Sequence, residues 1–267
     1  MGVVNVTPDS FVAQVRTPDV AAAVARCHQL AEQGASVVDI GGASTRPAAE
    51  PVATDVELAR VVPVIETFAA QRSQPIVISI DTRNADVARA AVAAGATMIN
   101  DMGSSLHGVA GELGVSYVAA HMQGEPQTMQ DHPVYGDVVA DVTSVVVAAA
   151  ERAKEAGAAS VFIDPGIGFG KRDPHNLELL AGIDQFVESD FGVVVGVSRK
   201  AMMGRLHAAS DANIELTTAT ATPVDDRFEA SLAVATWCAA LGVAVVRVHD
   251  VAETVQAMKV VVAGNTV

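Results

Sequence analysis

The chain has 267 residues, of which 50% are hydrophobic, 4% aromatic and 18% charged, and its formal net charge is −14. A chain of this length can bury a large core unaided, and its composition excludes intrinsic disorder. The negative charge argues against binding to nucleic acid or to an anionic membrane surface, since both require an excess of Lys and Arg.

Two cysteines, Cys27 and Cys238, lie far apart in Ala-rich segments and form no CxxC pair. We expect both to be buried, unpaired hydrophobic residues, as is typical of proteins in a reducing cytoplasm. The initial apolar run, MGVVNV, is too short for a signal peptide or a membrane span. These features predict a cytoplasmic protein with no membrane partner.

One pattern recurs along the chain: an Ala-rich helical segment, a glycine, a short apolar run and then a polar residue. It reads GASVVDI from Gly34, GATMIND from Gly95, GVSYVAAH from Gly114, GAASVFID from Gly157 and GVAVVRVH from Gly242. Glycine suits the left-handed residue that ends many helices. Apolar runs without polar alternation are typical of parallel strands that are covered on both faces.

Three further apolar runs, MGVVNV, PIVISID and GVVVGVS, raise the count to about eight strand–helix units. This count and the length predict one (β/α)8 TIM barrel domain over residues 1–267, with a doubly wound sheet as the alternative. The Thr-rich stretch from Ala208 to Pro223 is predicted to be a loop within this domain. Trp237, among Ala and Val on a helix, is predicted to be in the core.

Polar residues end nearly every predicted strand. They are Asn5, Asp39, Asp81, Asn100 with Asp101, His121, Asp164, Ser198 to Lys200, and Arg247 with His249. In a (β/α)8 barrel the carboxyl ends of the strands carry the active site. Such regularity therefore indicates an enzyme.

Four of these residues would surround an apolar-walled mouth with hydrogen-bond donors and acceptors: Asp81, Asn100, Asp164 and Lys200. Carboxylates beside an amide suit a flat heterocycle that has amino and lactam edges. The competing interpretation is that single groups pair structurally with one another, for example Asp with Lys.

A second group predicts an anion site: Arg46, Lys200, Arg247 and His249. Arg makes bidentate contacts to phosphate, and Lys acts as a point charge. Arg247 and His249 are two residues apart, so they face the same side of a strand. Asn5 could supply one oxygen ligand to Mg²⁺ whose other ligands are phosphate oxygens and water.

The glycine-rich segment GIGFGK, from Gly166 to Lys171, matches neither the P-loop nor the dinucleotide-binding spacing. Its functional content is predicted to be the preceding Asp164 together with Phe169. The histidines outside the strand ends show no zinc-binding spacing, so a zinc site is not expected.

Taken together, these residues resemble the dihydropteroate synthases of the pterin-binding enzyme group across essentially the whole chain. The matching segments are MGVVNVTPDSF, DIGGASTRP, SIDT, IND, HMQGEP, DPGIGFGK, VGVSRK, RFEASLA and VRVHD. The combination of NVTPDSF, SRK and RVHD in that order is highly specific.

The resemblance implies a barrel that joins 6-hydroxymethyl-7,8-dihydropterin pyrophosphate to 4-aminobenzoate with Mg²⁺, giving 7,8-dihydropteroate and pyrophosphate. It implies a homodimer and assigns the pterin to Asp81, Asn100, Asp164 and Lys200. The resemblance assigns the contacts with pyrophosphate and Mg²⁺ to Asn5, Arg247 and His249, with Asn5 as the metal ligand. The resemblance also assigns the aminobenzoate pocket, where sulfonamides bind in the family. Its residues are Phe11, Thr45, Arg46, Pro47, Phe169 and Ser198. The implied catalytic residues are Asp81, Asp164, Lys200, Arg247 and His249.

Two loops depart from the family pattern. Val12 to Val15 follow Phe11, where the family usually has Ser-Asp-Gly-Gly, and Ala43 and Ala48 stand where it usually has Glu and Gly. A divergent paralogue that binds pterin or pyrophosphate with little or no synthase activity is therefore the alternative. Methyl transfer from methyltetrahydrofolate to a corrinoid, on the same barrel, would not need the DSF loop, SRK or RVHD.

Overall fold

The computed structural model describes residues 1–7, 19–45 and 49–264 of the chain. Within these ranges eight short parallel strands form the sheet. They are β1 (Gly2–Asn5), β2 (Val37–Gly41), β3 (Val77–Asp81), β4 (Met98–Asp101), β5 (Ser116–Ala120), β6 (Val161–Asp164), β7 (Gly192–Val195) and β8 (Val245–Val246).

The strands pair in chain order from β1 to β8, and every pairing is parallel. The residues after β8 then return to β1. Val3 N–H donates to Val248 C=O at 3.1 Å, and Val248 N–H donates to Met1 C=O at 2.9 Å. These bonds close the sheet, so the predicted (β/α)8 barrel is confirmed and the doubly wound alternative is excluded.

Helices connect the strands in the described part of the chain. They are α1 (Val20–Glu32), α2 (Thr54–Gln71), α3 (Ala85–Ala93), α4 (His107–Leu113), α5 (Val138–Ala156), α6 (Asp173–Ala181), α7 (Ile183–Val187), α8 (Ala201–Ala212), α9 (Phe228–Ala240) and α10 (Val251–Gly264). None of the helices in the described ranges is both long and apolar enough to cross a membrane.

The recurring glycines end the helices as the sequence predicts. All five have positive φ, between 63° and 117°, a conformation that glycine adopts without strain. The prediction for residues 208–223 is partly wrong, because α8 continues to Ala212 and ends at Asn213 with φ 50°. Alanine at 208, 209 and 212 favours helix over loop.

The main core lies between the sheet and the helices, where α1 buries Val24, Cys27 and Leu30. Cys27 and Cys238 are both fully buried and unpaired, as predicted. Trp237 is not in the core: it is 43% exposed. Helix α9 is apolar on all its faces, so the sequence pattern does not indicate which face the barrel covers.

The barrel interior has two layers of different chemistry. Val37 and Met98, the first residues of β2 and β4, form a separate buried apolar cluster with Val118 and Val194. Because alternate strand residues face the same side of a sheet, residues two positions further along also point inward. Asp39 and Asn100 occupy such positions, so a polar layer lies directly above the apolar one.

Candidate functional site

The strand register places the polar residues of the first four strands side by side. Asn5 is paired with Gly41, Gly41 with Asp81, and Asp81 with Asn100. Partners in register on parallel strands share a face, so these side chains line one rim of the barrel. Gly41 contributes no side chain, which leaves room between Asn5 and Asp81.

Arg247 joins two buried carboxylates at the centre of this rim. Its Nε donates to Asp39 Oδ2 at 2.6 Å, and its Nη2 donates to Asp81 Oδ2 at 2.7 Å. Asn100 Nδ2 also donates to Asp39 Oδ2, at 3.0 Å. The structural pairing that the sequence leaves open therefore occurs, but it joins Asp to Arg.

Three acceptor atoms of this network have no partner among the described residues. They are Asp39 Oδ1, Asp81 Oδ1 and Asn100 Oδ1, all buried. A buried acceptor that lacks a hydrogen bond costs free energy, and such atoms are uncommon in native proteins. A ligand that presents N–H groups would satisfy them.

Burial determines the charge behaviour of this group. It raises the pKa of Asp81 to about 7, although Arg247 acts to lower it and Asp39 adds to the rise. Burial lowers the pKa of Arg247, but the carboxylates of Asp39 and Asp81 more than offset this and hold it above its ordinary value. Arg247 therefore stays charged, while Asp81 is close to its midpoint at neutral pH.

Lys200 reaches the opposite side of the mouth. Its Nζ donates to the Ile167 carbonyl and lies 4.2 Å from the centroid of the Phe169 ring. Burial lowers its pKa to about 8, against the attraction of Asp164. Asp164 accepts a hydrogen bond from Gly166 N–H at 2.7 Å, and burial raises its pKa.

A second lysine, which is buried, holds the loop that carries Phe169. Lys171 Nζ contacts His121 Nδ1 at 2.8 Å and donates to the Gly166 and Phe169 carbonyls, both at 3.0 Å. Burial lowers the pKa of Lys171 to about 7, and burial with the nearby Lys171 charge lowers that of His121 to about 3. At neutral pH His121 is therefore an uncharged acceptor.

The loop after β7 meets the residues after β8. Ser198 Oγ lies 3.0 Å from His249 Nδ1 and accepts the His249 N–H at 3.2 Å. Arg26 Nη2 donates to the His249 carbonyl at 2.8 Å. Arg247 therefore lies in the rim with Asp39 and Asp81, and His249 lies beside Ser198.

Thr45 lines a cavity of about 480 Å³ that also reaches Asp81. Glu57 lies in its wall and accepts a hydrogen bond from Thr82 Oγ1 at 2.8 Å. Phe11, Arg46 and Pro47, which are predicted for the aminobenzoate pocket, lie outside the described residues, as do Val12 to Val15.

Two residues that organise the site, Asp39 and Lys171, are absent from the site that the sequence predicts. Asp39 is one of the polar strand ends that the sequence leaves without a role, and the signal for its role is its position two residues after the inward-facing Val37. Lys171 belongs to a glycine-rich segment that lacks a phosphate-binding spacing, so the sequence assigns it no role. Its side chain is buried and donates to the Gly166 and Phe169 carbonyls, which the sequence does not reveal, so it organises the loop.

Comparison with known proteins extends these observations. The profile of the family described as pterin binding enzyme matches residues 1–249. A dihydropteroate synthase from Escherichia coli (strain K12) is 40% identical over 98% of this chain and 89% of the relative. The dihydropteroate synthase from Mycobacterium leprae (strain TN) is 38% identical over 98% of this chain and 91% of the relative.

Solved structures agree with these sequence matches. Dihydropteroate synthase from Yersinia pestis, in complex with a sulfonamide drug, superposes with a TM-score of 0.87 at 36% identity, over 100% of this chain and 94% of that one. The Xanthomonas albilineans dihydropteroate synthase with 7,8-dihydropteroate has a TM-score of 0.84 at 38% identity, over 100% and 93% of the two chains.

Proposed function

The chain belongs to the pterin-binding enzyme family, and we propose that it is a transferase of folate biosynthesis with dihydropteroate synthase activity. It condenses 6-hydroxymethyl-7,8-dihydropterin pyrophosphate with 4-aminobenzoate and releases 7,8-dihydropteroate and pyrophosphate. The observation that carries the proposal is the set of unpaired, buried acceptor oxygens at the barrel mouth.

The pterin ring fits these acceptors because it presents amino and ring N–H groups along its edges. Asp81 Oδ1 and Asn100 Oδ1 are adjacent on neighbouring strands and would accept such donors. Asp164 and Lys200 lie across the mouth and would contact the other edge of the ring. Asp39 orients Arg247 through its Oδ2, and its buried, unpaired Oδ1 would accept a further donor from the ring.

The pyrophosphate is placed beside Arg247 and His249, which follow the last strand. Arg247 uses Nε and Nη2 for Asp39 and Asp81, so its remaining amine edge is the one that would face the leaving group. Charge that develops on pyrophosphate as the C–O bond breaks is stabilised by such a fixed cation.

Asn5 fits the metal site expected of this reaction. Its side chain is partly exposed, stands at the rim next to Gly41, and makes no hydrogen bond within the described part of the chain. Its amide oxygen is a hard ligand of the type that Mg²⁺ prefers, with substrate oxygens and water as the others. When bound, Mg²⁺ would neutralise charge on the pyrophosphate.

The aminobenzoate is assigned by family resemblance to Phe169, Ser198 and Thr45, and to Phe11, Arg46 and Pro47, which lie outside the described residues. Phe169 stacks beneath the Lys200 ammonium, which fixes its ring. We infer that C–O cleavage runs ahead of attack and leaves a pterin cation, which Asp81 and Asp164 stabilise. The weakly basic arylamine then needs positioning more than activation.

A pyrophosphate-release assay with both substrates tests the activity directly. Release that depends on both substrates, with 7,8-dihydropteroate as the product, is expected. Tight pterin binding without turnover would instead establish the non-catalytic paralogue. Rapid quench without aminobenzoate tests the order of steps: a burst of pyrophosphate supports early C–O cleavage, and strict dependence on aminobenzoate contradicts it.

Mg²⁺ is tested with the same assay. Activity should be lost on chelation and restored by Mg²⁺, and Asn5→Ala should raise the Mg²⁺ concentration needed for half-maximal rate. His249→Ala is expected to weaken pyrophosphate binding, which calorimetry with pyrophosphate measures without turnover. An unchanged pyrophosphate affinity in His249→Ala would remove that residue from the anion site.

We also infer a homodimer that acts in the cytoplasm. Helices α9 and α10 pack against each other, and they expose Trp237 (43%) and Val260 (73%). Apolar side chains exposed on adjacent helices are typical of subunit interfaces. Sedimentation of the wild type should give a dimer, and Trp237→Glu should shift it to a monomer. A wild-type monomer at micromolar concentration would contradict the inference.

A further inference from the structure

The turn that separates Ser198 from Lys200 has an unusual backbone. Residues 197–200 form a four-residue turn in which Lys200 N–H donates to the Val197 carbonyl at 3.1 Å. Its third residue, Arg199, has φ 59°. Residues with a Cβ rarely adopt this conformation, and turns with positive φ at the third position usually carry Gly or Asn there. An arginine is therefore held in a strained conformation between two residues assigned to the substrates.

Two residues near the start of α9 hold the peptide groups of Arg199. The Arg199 N–H donates to Ser231 Oγ at 2.9 Å, and its carbonyl accepts from Arg227 Nη1 at 2.9 Å. Ser231 Oγ also donates to the Arg227 carbonyl at 2.5 Å, which links the two. A Cβ on Gly204 would lie 2.7 Å from Arg227 Nε, so glycine is needed there for this approach.

The Arg199 side chain is anchored from another direction. Its Nε and Nη2 donate to Asp250 Oδ2 and Oδ1 at 3.1 and 2.5 Å, and Asp225 lies further away at 3.7 Å. Asp250 directly follows His249, which contacts Ser198. Two consecutive contacts, 198 with 249 and 199 with 250, therefore join the loops after β7 and β8.

We propose that Asp250, Arg227 and Ser231 are positioning residues that hold Arg199 in its left-handed conformation, so that Ser198 and Lys200 are presented to the substrates. The inference rests on the proposed function. Strain held in place by surrounding contacts is characteristic of functional sites. A glycine would accept the turn without strain but would leave it mobile, whereas the clamped arginine fixes both neighbours.

A second ion pair provides a matched control. Arg205 of α8 donates through Nε and Nη2 to Asp173 at 2.5 and 2.6 Å. The side chains of Arg205 and Asp173 are 31% and 14% exposed. Those of Arg199 and Asp250 are 32% and 20% exposed. Both pairs are thus bidentate and similarly exposed, but Arg205 has ordinary backbone geometry. Removing the Arg205–Asp173 pair therefore measures how much activity is lost when an ion pair is broken away from the strained turn.

The decisive comparison is Arg199→Ala against Arg199→Gly. Both lack the guanidinium, but only alanine still carries the penalty for positive φ. Arg199→Ala should lower kcat/KM about tenfold relative to Arg199→Gly, the factor that corresponds to the cost of the left-handed conformation. Asp250→Ala should resemble Arg199→Ala, and Arg205→Ala should stay within about twofold of the wild type. The loss should appear chiefly in KM for the pterin substrate, because Lys200 is displaced.

Equal activity of Arg199→Ala and Arg199→Gly would overturn the proposal, since the guanidinium alone would then matter. Equal losses of kcat/KM in Asp250→Ala and Arg205→Ala would also overturn it, because the effect would then follow from breaking any ion pair. Hydrogen exchange separates this inference from the proposed function, as it needs no turnover. The Arg199 amide should exchange faster in Asp250→Ala than in Arg205→Ala. Equal protection of this amide in the two variants would contradict the positioning role, even if the enzyme is active.

Discussion

The two ends of the barrel interior are built from the same strands, yet their chemistry is opposite. Val37 and Met98 belong to the apolar cluster at the amino end, whereas Asp39 and Asn100, two residues further along the same strands, belong to the hydrogen-bonded network. This separation is roughly 7 Å of strand. The apolar residues therefore lie toward the amino end of these strands, and the charged residues lie toward the carboxyl end, where the candidate site is.

The largest expected effect comes from removing charge in the upper layer. Asp81→Asn preserves side-chain volume but removes the carboxylate that Arg247 and the pterin share. We expect kcat/KM to fall roughly a hundredfold to a thousandfold, which corresponds to about 3–4 kcal/mol of lost transition-state stabilisation, because the pterin loses a charged acceptor. Steady-state kinetics with both substrates measures this, with Ser79→Ala on the same strand as the control. A loss below threefold would show that the upper layer is structural.

Part of this contrast is accessible from sequence alone. The repeated helix–glycine–strand pattern predicts the barrel, and two-residue alternation predicts which strand residues face inward. What remained hidden is pairing over long separations: the contact of Arg247 with Asp39 spans 208 residues. Arg199 was hidden for another reason, because a positive φ is predicted from glycine, and none stands there.

The pH dependence of kcat/KM should report the upper layer directly. Below about pH 7, Asp81 takes up a proton and loses its charge. Above about pH 8, Lys200 gives up its proton and loses its charge. The profile should therefore be a narrow bell with its maximum between these values. A plateau from pH 5 to 10 would mean that neither group titrates in the free enzyme.

Asp39→Asn should shift the acid limb of this pH profile of kcat/KM. The Asp39 charge raises the pKa of Asp81, so its removal lets Asp81 ionise at lower pH. We expect the acid limb to shift to lower pH, with the basic limb unchanged. Glu57→Gln, which also removes a nearby carboxylate, should give a smaller shift in the same direction. An upward shift would contradict the electrostatic account.

The smallest effect is predicted at the boundary between the layers. Ser79 lies on β3 two residues below Asp81, and its buried Oγ has no partner among the described residues. An unsatisfied buried hydroxyl destabilises a fold, so Ser79→Ala should raise the free energy of unfolding by about 1 kcal/mol, less the small cost of the space it leaves. Urea denaturation measures the change, and kcat/KM should stay within twofold of the wild type. A loss of stability together with lower activity would mean that Ser79 belongs to the polar layer, and the boundary would then lie one residue pair deeper, at Val77.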